Sequence, residues 1–258
     1  MSKTNSTTIN TRLTIVTPTP KITPHIKKNL KVIGQQTSWL IVWTNPNQPA
    51  PKSTSRGYLK VINYPKKFLP INNFAKLRNW TLRQVKTDWI LFLDSDEILT
   101  QSSWNKLVKL LQQSNSLING YLIKREDVFL GKTLKHGEVG NVWLMRLGRR
   151  RFMRYERVVH EIAGIQGMTE KSDVVIKHYS HKSVSSFINK VNFYAKLEAK
   201  SRHTLKPKLW FELIFYPPLK LIYNFIFKLG WLDGMRGLVY ASIMSLHSLL
   251  VRIYQLEK

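Results

Sequence analysis

The sequence predicts an α/β protein with a parallel, doubly wound sheet and an amphipathic helical extension at its C-terminal end. Its 258 residues, 43% of them hydrophobic, are enough to bury one sizeable core. Short apolar runs alternate along the chain with segments of helical spacing, a pattern typical of parallel sheets covered by helices. From residue 209 onward the composition changes to an aromatic, apolar stretch that charges and prolines interrupt.

The predicted strands and helices follow one another in order. Apolar runs with β-branched and aromatic residues predict strands at residues 12–17, 39–43, 58–62, 89–93, 120–124 and 142–147. Apolar residues at helical spacing predict helices at residues 22–32, 73–85 and 104–112. Ligands of open α/β sheets bind beyond the carboxyl ends of strands. The residues that directly follow the run 89–93 are therefore candidates for a functional site.

The chain is expected to have three parts. Residues 1–11 are polar and rich in Ser, Thr and Asn, which predicts a disordered N-terminus and not a secretory signal. Residues 12–200 hold the predicted strands and form the main domain. Residues 201–258 form an amphipathic helical region that associates with a membrane.

The prediction for residues 201–258 is based on their amino-acid composition. No run reaches the roughly 18 to 20 uninterrupted apolar residues of a membrane-spanning helix. Its aromatic residues and lysines favour short helices lying on a membrane, with breaks at Pro217-Pro218 and Asp233-Gly234. The alternative is a helical lid packed on the main domain.

Charge and cysteine content limit the possible partners and sites. The chain has 41 Lys and Arg against 15 Asp and Glu, a net charge of +26 that attracts anionic ligands and surfaces. Charge alone does not choose among nucleic acid, acidic lipid and sugar diphosphates. The sequence has no cysteine, which excludes thiolate nucleophiles, cysteine zinc sites and disulfides.

A carboxylate cluster is the most informative feature of this acid-poor chain. The first acidic residue is Asp88, and Asp94, Asp96 and Glu97 then fall within four positions. Like charges so close raise one another's pKa unless a cation lies among them. Mg²⁺ and Mn²⁺ often combine one or two carboxylates with phosphate oxygens, so the cluster predicts a divalent metal site. The alternative is a polar loop whose acids cap the next helix.

The segment Asp88-Trp-Ile-Leu-Phe-Leu-Asp-Ser-Asp-Glu97 resembles the signature of family 2 glycosyltransferases of the GT-A fold. Further motifs are similar to the subgroup that contains lipopolysaccharide-core β-glucosyltransferases. These are Gly131-Lys132, His136-Gly137-Glu138, Arg146-Leu147-Gly148-Arg149-Arg150, Val159-His160-Glu161, His178-Tyr179-Ser180, residues 190–195 and, more weakly, Asp233-Gly234 with Gly237. The resemblance covers residues 75–195 and implies a Rossmann-like nucleotide-diphospho-sugar transferase fold.

The resemblance implies roles for individual residues. Asp94 and Asp96 would hold the metal and the donor diphosphate, and Glu161 would be the general base for the acceptor. His178 would complete the metal site, although His181 is a competing ligand candidate. In the alternative view Glu161 pairs with an arginine and His178 is an ordinary histidine at a strand end.

Three more residues are candidate donor contacts. Arg78 precedes the strand at 89–93, where family members carry a basic residue near the nucleotide. Arg149 belongs to a basic run whose guanidiniums suit phosphate. Relatives carry an Asp that contacts the base after the second strand, but this chain has Asn45 there, and Asn45 could hydrogen-bond the base instead.

The expected function is transfer of a sugar from a nucleotide-sugar donor to a lipid-linked or glycan acceptor, with inversion at the sugar carbon. The expected cofactor is Mn²⁺ or Mg²⁺, and the expected location is the inner, cytoplasmic face of the cell membrane. A nucleic-acid-binding protein is the alternative that the charge permits, but no nucleic-acid-binding motif appears and no such partner is expected. Another is an inactive relative that serves as a membrane scaffold.

Overall fold

The structure is a computed structural model that describes residues 12–54, 58–157, 162–181, 183–202 and 205–257. The predicted disordered start at 1–11 lies outside the described residues. Two compact units divide the chain: unit 1 comprises residues up to 125 and 143–177, and unit 2 comprises 126–142 and 178–258. The helix at 184–201 packs with the last helix of the chain, within unit 2.

Regular elements occupy most of the described chain. The strands are β1 (Leu13–Thr19), β2 (Ser38–Trp43), β3 (Leu59–Asn63), β4 (Trp89–Phe92), β5 (Glu97–Leu99), β6 (Ile118–Phe129), β7 (Lys132–Thr133), β8 (Val142–Arg149), β9 (Met153–Glu156), β10 (Ile162–Ile165) and β11 (Met168–His181). The α-helices are α1 (Pro24–Ile33), α2 (Phe74–Gln84), α3 (Gln101–Gln112), α4 (Val184–Ser201), α5 (Lys206–Ile222) and α6 (Met235–Leu256).

The main sheet of unit 1 has the strand order β3-β2-β1-β4-β8-β6-β11-β5. The first four strands in this order are parallel, as predicted. β8, however, runs antiparallel to β4, with Trp89 opposite Arg149 and Leu91 opposite Leu147. The sheet is therefore mixed, because the chain returns beside β4 in the opposite direction after the parallel half is complete.

Helices cover both faces of this sheet, as the term doubly wound requires. Successive side chains of a strand point to opposite faces, so one strand contributes to two cores. Leu91 of β4 packs with α1 and α3, for example against Ile26 and Trp104. Phe92 packs on the other side with α2, against Leu77. The buried α/β core predicted from the sequence is confirmed.

The helix α2 also holds a small hairpin formed by β9 and β10. The Asn79 amide donates to the Tyr155 carbonyl at 2.7 Å, and its side-chain oxygen accepts from the Tyr155 amide at 2.9 Å. One side chain thus satisfies both backbone groups of Tyr155, which fixes β9 against the helix.

Unit 2 is built from the three helices α4, α5 and α6, together with β7 and the end of β6. Its core is apolar and aromatic, formed by residues such as Phe129, Phe187 and Tyr240. The predicted helix break at Pro217-Pro218 is wrong, because α5 runs through both prolines. Pro217 is buried and its carbonyl accepts from Ser245 Oγ on α6 at 2.7 Å. Packing against α6 stabilises this helix although both prolines lack an amide hydrogen.

The other predicted break is confirmed, since Asp233 and Gly234 lie at the turn into α6. The Asp233 carboxylate accepts from the backbone amides of Lys135 and His136, at 3.0 and 2.8 Å. A Cβ on Gly237 would lie 1.9 Å from the Gly230 carbonyl oxygen, so only glycine fits the first turn of α6.

Within the described residues, α6 is the one helix whose length and composition would allow it to cross a membrane, although the sequence predicted none. It carries Arg252, which is buried and binds Glu212 of α5 at 3.0 Å. Its remaining apolar face contributes to the core of unit 2, which explains its hydrophobic composition.

Candidate functional site

The carboxylate cluster lies at the carboxyl end of β4, as predicted. The Leu93 amide donates to the Val16 carbonyl, which aligns this end of β4 with β1. Thr17 Oγ1 donates to the Leu93 carbonyl at 2.7 Å, and Thr23 Oγ1 donates to the Ser95 carbonyl at 2.5 Å. The hydroxyls of Thr17 and Thr23 and the Val16 carbonyl therefore hold the backbone of the loop that carries Asp94 and Asp96.

Two arginines bind Asp94. Arg78 Nη2 lies 2.9 Å from Oδ1 and 3.2 Å from Oδ2, and Arg146 Nη2 lies 2.6 Å from Oδ2. Burial by itself would raise the pKa of Asp94, but the positive charges of Arg146 and Arg78 outweigh it. The pKa of Asp94 lies well below its ordinary value, so the carboxylate is ionised at neutral pH.

Glu97 is the second carboxylate of this ion cluster, and it is only 1% exposed. Its Oε1 accepts from Arg146 Nη2 at 2.8 Å, and its Oε2 accepts from the Asp94 amide at 2.8 Å. Burial lowers the pKa of Arg146, but the charges of Asp94 and Glu97 raise it further, and the net shift is upward. Glu97 therefore positions Arg146 and the Asp94 loop.

The cations that lie among the clustered acids in this structure are arginines. Both oxygens of Asp94 and of Glu97 have hydrogen-bond donors. No group of three or more His, Asp or Glu side chains that could hold a metal occurs in the part of the chain that the structure describes. Asp96 is half-buried on the same loop. One carboxylate and phosphate oxygens suffice for Mg²⁺, so these residues fit a metal held by Asp96 and a donor diphosphate.

His178, the third predicted metal ligand, lies in unit 2. Its Nδ1 is 2.6 Å from Asp127 Oδ1, and Asp127 is buried. This contact orients the imidazole ring. The competing candidate His181 stacks on Phe187, with ring centroids 3.5 Å apart.

The two remaining donor candidates of unit 1 lie apart from the ion cluster. Arg149 lies opposite Trp89, the first residue of β4, whereas Asp94 follows the other end of that strand. Its guanidinium forms an ion pair with Asp88 and covers the Trp89 ring, 4.8 Å from the centroid. Arg146, three residues earlier on β8, is the arginine of the basic run that reaches Asp94.

Asn45 follows β2, where the base-contacting acid of relatives is expected. Its amide donates to the Pro20 carbonyl at 3.3 Å, and its oxygen accepts from the Asn47 amide at 3.0 Å. These bonds shape a turn near the end of β1. Glu161, the expected base, lies outside the described residues, as do Val159 and His160.

Residues 66–176 match the family model described as Glycosyl transferase family 2. The match covers less than half of the chain, and we refer to residues 66–176 as the family 2 segment. This family 2 segment contains the complete ion cluster of Arg78, Asp94, Glu97 and Arg146, together with Asp96. Unit 1 has a sheet with helices on both faces, and the ion cluster lies where the parallel strand β4 ends. This is the GT-A fold that the sequence predicted.

Several solved glycosyltransferase structures are similar to this chain. S. aureus TarS 1–349 in complex with UDP-GlcNAc has a TM-score of 0.45 at 12% identity, covering 95% of this chain and 91% of that one. Glucosyl-3-phosphoglycerate synthase from Mycobacterium tuberculosis, in complex with phosphoglyceric acid, has a TM-score of 0.46 at 14% identity, covering 72% and 78%. A longer TarS structure has a TM-score of 0.41 at 14% identity and covers 85% of this chain, which spans 45% of its length. No curated protein matches the sequence.

Proposed function

We propose that this chain transfers a sugar from a nucleotide-diphosphate sugar to an acceptor hydroxyl, with the donor bound at the Asp94 loop. The observation that carries the proposal is the ion cluster at the carboxyl end of β4, inside the family 2 segment. The guanidiniums of Arg78 and Arg146 hold Asp94 ionised, so the loop carries fixed charges before the donor arrives. Such preorganised charge is worth more in a water-excluded site than in bulk water.

The chemistry follows from the charges that develop as the sugar bond breaks. The acceptor oxygen forms a bond to the anomeric carbon while the bond from that carbon to the diphosphate oxygen breaks, and inversion results. Glu161 takes the proton of the acceptor hydroxyl, and the nucleotide diphosphate leaves with the additional negative charge. A divalent metal held by Asp96 would neutralise that charge. The arginines keep the Asp94 loop in place throughout.

The proposed acceptor is a glycolipid or polysaccharide precursor at a membrane, as in the lipopolysaccharide-core subgroup that the motifs resemble. A specific feature of unit 2 supports it. Large apolar side chains are exposed along α5 and the segment that follows it: Trp210, Phe211, Ile214, Phe215, Leu219, Tyr223, Ile226, Phe227, Trp231 and Met235. Soluble monomers seldom expose contiguous apolar surface on this scale. We call these ten side chains the apolar face.

Charge around the apolar face matches an anionic bilayer. Lys206, Lys208 and Lys228 are exposed along the same segment, and each could add about 1 kcal/mol of attraction near acidic lipid. Lys220 belongs to the interior of the unit instead, since it lies 3.4 Å from Glu138 Oε1. We therefore propose a peripheral location on the inner face of the cell membrane, where nucleotide sugars and lipid-linked acceptors meet.

A donor screen tests the proposed activity. Purified full-length protein is incubated with a panel of nucleotide sugars and Mn²⁺ or Mg²⁺, and release of nucleotide diphosphate is measured with and without membrane extract as acceptor. Release from one donor in wild type, and its loss in Asp96→Asn, is the expected result. If no donor is turned over under any of these conditions, the chain is an inactive relative of the family.

A further inference from the structure

A groove of about 660 Å³ lies between α2 and the β9–β10 hairpin of unit 1, outside the ion cluster. Four arginines line it: Arg83, Arg150, Arg151 and Arg154. Its volume falls in the usual range for small-ligand sites.

Glu156 is the one acid that lines the groove among the described residues, so the guanidiniums outnumber the carboxylates. None of the four forms an ion pair there, whereas Arg78, Arg146 and Arg149 of the same unit each do. Arg150 is half-buried, and its Nε is fully buried without a hydrogen-bond partner among the described residues. A buried donor that lacks an acceptor costs about 1–3 kcal/mol, so the charge of Arg150 is poorly compensated by the protein itself.

The backbone of the groove is held in place. The Arg150 amide donates to the Asp88 carbonyl at 2.7 Å, and the Gln166 amide donates to the Phe152 carbonyl at 2.9 Å. On the other wall, Asn79 binds both backbone groups of Tyr155, next to Arg154. The arginines therefore project from a fixed frame, which lowers the entropy that a ligand must overcome.

The Arg150 end of the groove is remote from the candidate donor site. Arg150 is bonded to Asp88 at the start of β4, and Asp94 follows the end of that strand. Six residues of extended chain span roughly 20 Å. A donor diphosphate at Asp94 does not reach this far along the strand.

The lining indicates the chemistry of the ligand. Four guanidiniums and the carboxylate of Glu156 leave a positive excess, and planar guanidiniums bind phosphate oxygens in pairs. Phe152, which is 38% exposed, and the apolar side chains of Leu82 and Ile165 provide surface for a ring. We propose that the groove is a second binding site, for a phosphate-bearing compound whose ring packs beside Phe152. This proposal does not depend on the transferase activity.

Calorimetric titration with inorganic pyrophosphate tests the site in the full chain. Arg150→Gln combined with Arg154→Gln should weaken binding by about tenfold or more, because two bidentate contacts are lost. Lys106→Gln combined with Lys109→Gln removes the same charge from the exposed side of α3, and it should bind within about twofold of wild type. Arg154→Gln alone, at an exposed side chain, serves if the double variant does not fold.

A second arm identifies the source of the phosphate. The same variants are compared for binding to vesicles that contain phosphatidic acid. A loss relative to the lysine control in the pyrophosphate arm assigns the groove to a soluble phosphate compound, and a loss in the vesicle arm alone assigns it to a lipid headgroup. Equal behaviour of the arginine and lysine variants in both arms overturns the proposal. Binding of UDP with Mn²⁺ is measured in parallel, so that failure of the donor site is seen separately.

Discussion

Arg146 reaches Asp94 through the same nitrogen that it shares with Glu97, since Nη2 lies 2.6 Å from Asp94 Oδ2 and 2.8 Å from Glu97 Oε1. One guanidinium therefore binds two neighbouring carboxylates at once. The arrangement predicts that the Asp94 loop is formed in the metal-free protein.

Replacing Arg146 should destabilise the protein strongly. Arg146→Met keeps much of the side-chain volume but leaves Glu97 buried without its cation, which should cost about 3–5 kcal/mol of unfolding free energy. Arg149→Met is a matched control on the same strand, because Arg149 pairs with an exposed Asp88 and should cost about 0–1 kcal/mol. Urea denaturation measures both. Equal losses for the two variants would show that the ion cluster is not a special source of stability.

The contribution of Asp94 should depend on pH in the acid range. Its folded pKa is lowered, so the carboxylate stabilises the fold fully above its unfolded pKa of about 3.9, and the contribution is lost as pH falls toward the folded pKa. Asp94→Asn cannot titrate. The difference in unfolding free energy between wild type and this variant should therefore shrink between about pH 6 and pH 3. A difference that stays constant over this range contradicts the assigned ion pairs.

The enhancement of UDP binding by Mn²⁺ should depend more on Asp96 than on Asp94. Asp96→Asn should remove the enhancement of UDP binding by Mn²⁺, whereas Asp94→Asn should weaken UDP binding but retain part of that enhancement. Calorimetry with and without Mn²⁺ measures this, and Ser95→Ala is the control on the same loop. If both Asp variants keep the full Mn²⁺ effect, the metal is bound elsewhere or is not used.

Glu161 is expected to be the acceptor base. Glu161→Gln preserves the shape of the side chain but cannot take a proton, so turnover should fall by roughly 10² to 10⁴ while UDP affinity stays near wild type. Glu170→Gln, at an exposed position on β11, is the control. Near-normal transfer by Glu161→Gln would remove Glu161 from the mechanism.

The apolar face should carry membrane binding. Wild type should float with anionic liposomes, and Phe227→Ser combined with Trp231→Ser should float poorly. The control replaces Ile188 and Phe193 of α4 by Ser, since both are exposed but lie outside the apolar face. High salt should weaken flotation without abolishing it, because apolar insertion remains. If both double variants float like wild type, the face has another role.

Structural features that depend on neighbouring residues in the sequence, such as strands and the residues that follow them, were predicted correctly. Buried runs such as β2 and β4 are continuous apolar segments, and the rule that sites follow strand ends located Asp94. The partners of Asp94 were not all predictable. Arg78 was placed near the donor by resemblance, but the contact with Arg146 depends on β8 returning antiparallel beside β4 in one register. That register is set by packing across the sheet, which local periodicity does not encode.

The helical extension was also predicted only in part, because local sequence does not report its tertiary contacts. Two consecutive prolines normally end a helix, and the sequence predicted a break there. In the structure α5 continues, because Pro217 is buried against α6 and its carbonyl has a donor in Ser245. Tertiary contacts formed some 28 residues away override the local preference.

Arg78 and Asn79 are neighbours on α2, yet they serve different ends of unit 1. Arg78 binds the Asp94 loop, while Asn79 fastens the strand that carries Arg154. The two residues therefore connect the groove and the Asp94 loop through one helix, so a displacement of β9 by a groove ligand would act on Arg78. Thermodynamic linkage makes such coupling mutual: the factor by which a groove ligand changes donor affinity equals the factor by which donor changes affinity for the groove ligand. One helix would then let the supply of a phosphorylated metabolite set the occupancy of the transferase by its donor.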